Sequence, residues 1–513
     1  MFKGMRPFDQ DHSAIYQNTN RQSCTIGVAS GSATEDGRPL VWKTRDYVNN
    51  ENTRVRFNTS QRYSVLMVTT IGHNWPVMGV NEKGFSMVFS LSDDLRKGSG
   101  MYSTNLMQYG LANCATIADF ENVLDSTNIT GRATHNNFAA IDTTGAAKIF
   151  EVAGSEYWTY DANDTLDAPN GYLVRTNFSP THGTSEEVGI ERYLRSRDLC
   201  EEFISGDSLN YKSLMRYHMR DFATPTGDPL EIPFTGVSQF TQLGVPPGGY
   251  CNIITIANFL SEASSVIQGV LPEESPALST MWTILGMPAT SIAIPYWPVG
   301  APPAQASGAG VNELALGARQ IRSEVQHDFS WVQYGIQYEY IDTYDLLDGN
   351  GGGIWPIIYP AEDSIFQTTD SLMTIWRNNG VDSSAMLLYS SLFAETGVTI
   401  LNDAYTYLLE TVSISDMQSM PSEFSLFQNY PNPFNPVTTI QYELPKRTEV
   451  QISIYDLLGR KIATLVNQIQ DAGFKSIQWN ATDDHGKPVS AGSYLYQIKA
   501  GELVQTKKMV LLK

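Results

Sequence analysis

The first strongly patterned stretch of the chain spans residues 24–46. A β-branched apolar run follows Cys24, a polar turn stands at Asp36-Gly37, and a second apolar run ends with Lys43 and Asp46. Two apolar runs of strand length around a glycine-containing turn are typical of a β-hairpin. The pattern therefore predicts a hairpin that brings Lys43 and Asp46 back beside Cys24.

Strand and helix patterns then alternate through the rest of the first 420 residues. Apolar runs or alternation with period two predict strands, and apolar residues at three- and four-residue spacing predict helices. The predicted strands lie at 63–71, 171–178, 253–256 and 280–285, and two predicted hairpins lie at 76–92 and 137–152. The predicted helices cover 101–125, 186–204 and much of 362–417. A glycine cluster at 349–353 lacks a following helix-and-lysine pattern, which predicts a loop and not a phosphate cradle.

The pattern changes near residue 420. A proline-punctuated segment at 427–436 excludes helix. Five short alternating runs follow it, at 438–444, 450–455, 475–479, 494–500 and 504–512. Such strands over about ninety residues predict a small β-sandwich. The predicted organisation is a leader at 1–23, a large domain at 24–420, a linker at 421–436 and a β-sandwich at 437–513.

Length and composition agree with a folded chain of more than one unit. At roughly 150 residues per domain, 513 residues predict two or three units. The hydrophobic share of 42% and the charged share of 17% are typical of a globular protein. The formal charge of -20 argues against nucleic acid or an anionic membrane as a partner, because both require basic surfaces. From Phe424 onward ten basic and seven acidic residues give +3, so the preceding part carries -23.

The cysteines and histidines form no metal or disulfide pattern. The cysteines are scattered, the seven histidines are dispersed, and neither CxxC nor HExxH occurs. We therefore predict no metal and no cofactor. Of the remaining cysteines, Cys114, Cys200 and Cys251, the first lies on the apolar face of the helix predicted at 101–125, which is typical of a core residue.

Neither a membrane span nor a signal peptide is predicted. No run of eighteen apolar residues occurs in the chain. Residues 1–23 are polar and lack the apolar centre of a signal peptide. We therefore expect this segment to be a leader or propeptide that is removed before Cys24.

The last ninety residues or so carry four motifs of one family. They are QNYPNPFNP at 428–436, IYDLLGR at 454–460, WNATDDHG at 479–486 and AGSYLY at 491–496. Together they resemble the type A sorting domain of the type IX secretion system of Bacteroidota and related phyla. The resemblance implies an interaction with the secretion machinery, export across the outer membrane and, commonly, removal of the domain. A fibronectin-like module that binds a surface or a polymer is the alternative.

A second set of motifs lies in the large domain. In chain order they are Cys24-Thr25, the turn at 33–37, the strand ending in a basic residue and Asp46, GVNEKG at 79–84, Thr176-Asn177 and ERYLR at 191–195. They resemble the cysteine-type N-terminal nucleophile hydrolases, which include choloylglycine hydrolases, penicillin V acylases, acyl-CoA:6-aminopenicillanate acyltransferase-like enzymes and dipeptidases with an N-terminal cysteine. The resemblance implies an α+β fold with a four-layer αββα core.

The same resemblance implies roles for five residues. Cys24 is the nucleophile, and its own α-amino group takes the thiol proton once the chain has been cut before it. Asp46 holds the amine and the thiol in position, Asn177 donates to the oxyanion, and Arg192 anchors the charge network. Lys43 stands where the family usually has arginine and keeps the charge without the bidentate fork.

Two further positions follow from the comparison with that family. Arg45, two residues after Lys43, is a candidate to compensate for the missing arginine. An additional active-site asparagine of the family, expected after the motif at 79–84, has no counterpart, and the nearest polar residues are Ser90 and Ser92.

These motifs predict a secreted amidohydrolase or acylase of bacterial origin. It would cleave a small-molecule amide or a short peptide through an acyl-thioester on Cys24, after removal of the leader. An extracellular dipeptidase or aminopeptidase with the same mechanism is one alternative. An inactive surface-binding protein with a hydrolase-like core is the other.

Overall fold

The computed structural model describes residues 23–47, 53–182, 189–222, 232–234, 249–250, 255–258, 260–308, 312–331, 336–418, 424–429, 432–471 and 473–512. The chain forms two compact units, Met1–Leu408 and Leu409–Lys513. Residues 1–22 of the expected leader, Cys251, half of the strand expected at 253–256 and the expected boundary at residue 420 lie outside the described residues.

A six-stranded antiparallel sheet carries the opening hairpin. Its strands lie in the order β12-β1-β2-β14-β15-β16. Their bounds are β1 Ser23–Ala29, β2 Leu40–Asp46, β12 Tyr172–Arg175, β14 Ser261–Gln268, β15 Thr280–Leu285 and β16 Ala293–Tyr296. Because β1 lies between β2 and β12, the residues that end those two strands come close to Cys24.

A seven-stranded antiparallel sheet lies against it, in the order β11-β10-β9-β6-β5-β4-β3. Its strands are β3 Thr53–Asn58, β4 Val65–Thr70, β5 Met78–Asn81, β6 Ser86–Leu91, β9 Asn136–Ile141, β10 Ala147–Val152 and β11 Tyr157–Asp161. Two small sheets accompany it: β7 Met101–Tyr102 pairs with β8 Arg132–Ala133, and β13 Gly249–Tyr250, β18 Ile336–Asp342 and β17 Gln326–Trp331 form the other.

Helices cover the outer faces of both large sheets. They are α1 Ser103–Asn113, α2 Ile117–Thr130, α3 Ile190–Ser205, α4 Tyr211–Ser213, α5 Ala304–Ser307, α6 Glu313–Val325, α7 Thr343–Leu346, α8 Trp355–Asn379 and α9 Ser383–Gln418. Helix α1 packs on β5 and β6, α3 on β1 and β12, and α8 on β16. Strands β1 and β2 contact β6 and β9 across the interior. These contacts give four layers, αββα, and the predicted fold class is confirmed.

One predicted helix is in fact two. The periodic pattern over 101–125 predicts a single helix, whereas the structure has α1 and α2 separated at residues 114–116. The Thr116 side chain accepts from the Asp119 backbone N–H, and the Asp119 carboxylate accepts from the Thr116 backbone N–H. This capping box starts a new helix despite the continuous apolar spacing.

The helical segment near residue 400 bears on the membrane prediction. Within the described residues, one stretch, Ser383–Thr411 in α9, is long and apolar enough to cross a membrane by length and composition, with a mean hydropathy of 1.3. Six of its residues pack into the core of the first unit: Met386, Phe393, Ala394, Leu401, Ala404 and Leu408. A core helix meets the same length and composition criterion, and a membrane span is not established.

The second unit is a β-sandwich, as predicted. One sheet has the order β19-β20-β23 and the other β22-β21-β24-β25. The strands are β19 Ser425–Leu426, β20 Thr438–Leu444, β21 Thr448–Asp456, β22 Lys461–Gln470, β23 Gly473–Trp479, β24 Gly492–Ala500 and β25 Leu503–Leu511. Side chains of both sheets share one core. Strand β22 is absent from the sequence prediction because few of its residues are buried.

Gly27 offers a test of how tightly β1 is packed. A Cβ added at Gly27 would lie 2.2 Å from the Trp42 ring, on the neighbouring strand. We expect Gly27→Ala to lower the free energy of unfolding by about 1–3 kcal/mol, because overpacking forces neighbouring side chains to move. The measurement is chemical denaturation followed by tryptophan fluorescence.

The matched control is Gly349→Ala, since nothing lies within 4 Å of a Cβ at that position. That variant should change the stability by less than about 0.5 kcal/mol. Equal denaturation midpoints for the two variants would contradict the close packing of β1 on Trp42.

Candidate active site

Cys24 lies near the start of strand β1, with only 2% of its surface exposed. Its Cα pairs with Arg45 of β2, and Ile26 pairs with Lys43. Side chains alternate along a strand, so Cys24, Lys43 and Arg45 belong to one face of the sheet. Because Lys43 reaches carbonyls of the seven-stranded sheet, this is the face between the two sheets.

Lys43 is as buried as Cys24 and lies on the same face of the neighbouring strand. Its Nζ donates to the Phe89 carbonyl at 2.7 Å and to the Val77 carbonyl at 3.3 Å. Burial lowers the pKa of Lys43, the Cys24 thiol opposes this effect, and the charge of Arg45 adds to it. The structure therefore brings the two predicted site residues together.

Asn177 and Arg192 contact two neighbouring residues of β1, Cys24 and Thr25. The Asn177 Oδ1 atom accepts from the Cys24 backbone N–H at 3.1 Å and from Arg192 Nη2 at 2.8 Å. Arg192 Nη1 donates to Thr25 Oγ1 at 3.1 Å. Arg192 thereby links the first strand, the segment that follows β12 and its own helix α3.

The orientation of Asn177 bears on its predicted role as an oxyanion donor. Its Oδ1 atom faces Cys24, and its Nδ2 donates to the Leu91 carbonyl at 3.3 Å. In this state of the chain, where Cys24 N belongs to a peptide bond, Asn177 acts as an acceptor for Cys24. Its donor role toward an oxyanion stays a prediction.

A glycine sets the approach of α3 to this site. Gly189 precedes the helix with φ +86°, a left-handed conformation that favours glycine. A Cβ there would lie 2.6 Å from Arg192 Nη2 and 3.1 Å from Thr176 Oγ1. The Thr176 hydroxyl donates to the Gly189 carbonyl at 3.0 Å. A side chain at this position would therefore collide with Arg192 and crowd Thr176.

Asp46 is close to the others along the backbone but directs its carboxylate elsewhere. Its Cα pairs with Ser23, so strand alternation places its side chain on the face opposite to Cys24. Asn258 Nδ2 donates to Asp46 Oδ2 at 2.6 Å, and Ser261 Oγ donates to Oδ1 at 2.7 Å. The predicted role of Asp46 in holding the α-amine of Cys24 stays a prediction.

The side chains of Asn137, Ser179 and Ser90 form hydrogen bonds that hold the Thr176-Asn177 segment in place. This role was not evident from the sequence. Asn137 Nδ2 donates to the Phe178 carbonyl at 3.0 Å, and Ser179 Oγ donates to Asn137 Oδ1 at 2.7 Å. Ser90 Oγ donates to the Thr176 carbonyl at 2.6 Å. Ser90, noted only as a neighbour of the missing asparagine, is thus a support for this segment.

Arg45 and the other two described cysteines have different surroundings. Arg45 Nη2 donates to Thr70 Oγ1 at 2.9 Å, and the guanidinium lies over the Tyr47 ring. Burial raises the pKa of the Cys114 thiol to about 12 and also raises that of Cys200. Both are buried core residues, as the apolar helix face predicts for Cys114. Among the residues that the structure describes, no group of three or more histidine, cysteine or acidic side chains could hold a metal ion.

The second unit matches a known family. Residues 428–512 match the model of the secretion system C-terminal sorting domain. This unit is therefore a type IX secretion sorting domain, and the chain is a secreted or cell-surface bacterial protein. No curated protein matches the chain.

Three solved structures are similar to about half of the chain. An N-acylethanolamine-hydrolyzing acid amidase ortholog of Caenorhabditis elegans is 18% identical over 49% of this chain and 94% of its own, with a TM-score of 0.32. A mutant conjugated bile acid hydrolase from Clostridium perfringens is 14% identical over 51% and 89%, with a TM-score of 0.31. Penicillin V acylase from Agrobacterium tumefaciens is 12% identical over 53% and 85%, with a TM-score of 0.32. The penicillin V acylase is of a class that the N-terminal motifs resemble.

The contact between Asp46 and Asn258 can be tested without a substrate. We expect Asn258→Ala to lower the free energy of unfolding by about 1–3 kcal/mol, because it removes a donor from a buried carboxylate. In an Asp46→Asn background the same change should cost less, since the charged acceptor is gone. The measurement is a double-mutant cycle by chemical denaturation, where residues in contact couple by about 0.5–3 kcal/mol.

The control for this cycle is Asn402→Ala, an exposed asparagine on α9. It should be neutral in both backgrounds. Full additivity of the Asn258 and Asp46 changes would mean that the contact contributes nothing to stability.

Proposed function

We propose that the first unit is an amide hydrolase that uses Cys24 as its nucleophile after the chain is cut before Cys24. The observation that carries this proposal is the environment of one residue: the buried Lys43 lies on the same face of the neighbouring strand, and Asn177 accepts from the Cys24 nitrogen. Among the described cysteines, Cys114 and Cys200 lie buried in cores instead. The proposed substrates are acyl amides of small molecules.

The proposed reaction has two stages. The thiolate attacks the amide carbonyl carbon, the C–N bond breaks, and the leaving nitrogen takes up the proton that the thiol gave up. Water then hydrolyses the acyl-thioester and restores the thiol. The α-amino group of a free N-terminal cysteine suits the proton transfer, since its pKa is ordinarily about 8.

The position of the Cys24 nitrogen explains why cleavage matters. In the intact chain this nitrogen is an amide that donates to Asn177 Oδ1. An amide nitrogen has no available lone pair, so it cannot accept the thiol proton. After cleavage an amine would stand at the same place, with the Asn177 oxygen as a ready acceptor for one of its hydrogens.

The sorting domain locates the proposed activity. A chain that is exported meets its substrate outside the cell or at the cell surface. Such a substrate must be available in the surroundings of the bacterium. Both acyl amides and short peptides satisfy this condition, so the first assay must compare them.

The nucleophile is tested by Cys24→Ala on a panel of acyl amides and dipeptides. We expect the parent protein to hydrolyse acyl amides and the variant to lose at least about a hundredfold in kcat, because removal of a nucleophile leaves only binding contributions. Cys200→Ala serves as the matched control for a buried cysteine away from the site. A parent that prefers dipeptides would assign the activity to a peptidase, and a variant as active as the parent would remove Cys24 from the mechanism.

Cleavage before Cys24 is tested by intact-mass measurement of the active protein. We expect the active species to begin at Cys24 and the full-length species to be inactive, for want of a free amine at that residue. Separation of the two species by chromatography, with an assay of each fraction, gives the comparison. Full activity in the fraction that keeps the leader would refute the requirement for cleavage.

A further inference from the structure

A cavity of about 900 Å³ lies among the helices that cover the six-stranded sheet. Its walls come from one face of α3, from the segment 206–222 and from one face of α8. On α8 the lining residues recur at intervals of three and four, as neighbours on one helix face do: Trp355, Tyr359, Asp363 and Phe366. The volume is within the range of small-molecule binding sites in proteins.

This cavity is separate from the candidate active site. Helix α3 packs on β1 and β12, and α8 packs on β16, so both cover the outer face of their sheet. Cys24 faces the space between the two large sheets, on the side of Lys43. Neither residue lines the cavity. A ligand in the cavity would therefore occupy a second site.

Buried ion pairs join the three walls. Arg195 on α3 lies 2.7 Å from Asp221, measured from Nη2 to Oδ1. Arg220 Nη2 lies 2.7 Å from Glu362 Oε1 on α8. Glu362 also accepts from Arg216 Nε at 2.9 Å. The cavity is thus bounded by walls that are fixed to one another.

The charges of the lining are paired within the wall. In addition to these ion pairs, Arg216 Nη2 lies 2.7 Å from Asp363 Oδ1, and Lys212 Nζ lies 2.5 Å from Asp370 Oδ2. The other charged residue of the lining, Glu202, is exposed to solvent. An ion that entered the cavity would lose its water without gaining an unpaired counter-charge. The charge arrangement therefore favours an uncharged ligand.

Arg195 has one guanidinium nitrogen without a partner. Its Nε and Nη2 donate to Asp221, whereas its Nη1 makes no hydrogen bond within the part of the chain that the structure describes. Arg195 is 7% exposed and lines the cavity. By contrast, every guanidinium nitrogen of Arg220 donates to Glu362 or to a backbone carbonyl. A buried donor without an acceptor is costly, so Nη1 favours a ligand with an oxygen acceptor.

Aromatic side chains form much of the remaining lining. Phe203, Phe222 and Phe366 are buried at the walls. Trp355 and Tyr359 stack on each other, with their ring centroids 5.2 Å apart. Such walls suit the apolar part of a ligand, because ring faces offer a large contact area at low entropic cost.

We propose that this cavity is a second binding site of the first unit, for an uncharged apolar molecule that carries a carbonyl oxygen. The carbonyl accepts from Nη1 of Arg195, and the apolar part lies against the aromatic walls. Ketones, esters and uncharged amides belong to this class. The inference goes beyond the proposed function and does not depend on it, because Cys24 and its neighbours do not line the cavity.

The ligand class is tested with 2-octanone, octanoate and octylamine, which carry an uncharged, a negative and a positive group on chains of equal length. Binding to the purified full-length protein is measured by saturation-transfer NMR titration. We expect 2-octanone to bind at least about tenfold more tightly than either ion, since each ion would be desolvated without a counter-charge. 2-Octanone has no amide bond, so the proposed hydrolase cannot consume it.

The location is tested by filling the cavity. Gly206 is exposed, lines the cavity and has an ordinary φ of -96°. A Cβ there would come no closer than 3.4 Å to Ser208 Oγ, so the fold should tolerate Gly206→Phe. We expect this variant to bind 2-octanone at least about tenfold more weakly, because the ring takes the place of the ligand. Gly349→Phe, on an exposed loop, should bind like the parent.

The carbonyl contact is tested by Arg195→Lys. Lysine keeps a positive charge beside Asp221 and removes Nη1. We expect 2-octanone to bind about tenfold more weakly, the usual loss for a hydrogen bond to a charged group. The matched control is Arg197→Lys, an exposed residue of the same helix, which should bind like the parent.

Three results would each overturn the proposal. The first is a parent that does not bind 2-octanone or binds one of the ions as tightly. The second is full binding by Gly206→Phe, which would place the ligand elsewhere, and the third is unchanged binding by Arg195→Lys. Thermal melting identifies a variant that fails to fold, and if Arg195→Lys does, the three probes and Gly206→Phe decide. Binding is measured without an amide substrate, so failure of the proposed hydrolase leaves this result intact.

Discussion

The register of β1 between β2 and β12 is the constraint on which the site depends. Cys24 faces Arg45 on one side, and Ile26 faces Arg175 on the other. A shift of one residue would turn the thiol toward the helices and Thr25 toward the opposite sheet. The placement of Cys24 on the same face as Lys43 and the contact of Thr25 with Arg192 would then be lost together. The fit of Gly27 against Trp42 is one feature that opposes such a shift.

The second property of the site is its charge arrangement. Lys43 lies on the same face of the sheet as Cys24, and Arg192 contacts Thr25 and Asn177, whereas Asn258 and Ser261 donate to the carboxylate of Asp46. Lys43 and Arg192 are hydrogen-bonded to uncharged oxygen atoms in the described part of the chain. Under the proposed function, basic groups near Cys24 would stabilise negative charge on the sulfur and on a carbonyl oxygen during attack.

Much of this site could be predicted from sequence, and the limits have clear physical causes. The hairpin and the proximity of Lys43 to Cys24 follow from local pattern, because two short strands and one turn determine them. Asn258 and Ser261 lie more than 200 residues from Asp46, as sequence separations of 212 and 215 show. They reach it only because β14 pairs with β2, and no local pattern marks that pairing. The same holds for Asn137, which supports the segment around Thr176 from the other sheet.

Two errors in secondary structure have a common origin. Apolar spacing indicates which residues are buried, and it continues through the break between α1 and α2. A capping box determines where α2 begins. It also failed to reveal β22, whose side chains are mostly exposed. In both places hydrogen bonds of the backbone, and not burial, define the element. The motifs that carry the family resemblances were less affected by this limit, because they include turn and cap residues as well as apolar ones.

The state of the Cys24 nitrogen links the fold to the export of the chain. As long as a residue precedes Cys24, its nitrogen is an amide that donates to Asn177 Oδ1. An amide nitrogen cannot accept a proton, so in the uncut chain the proposed nucleophile has no base of its own. Under the proposed function, a protein that carries a sorting domain would therefore hydrolyse foreign amides only after the segment before Cys24 has been released.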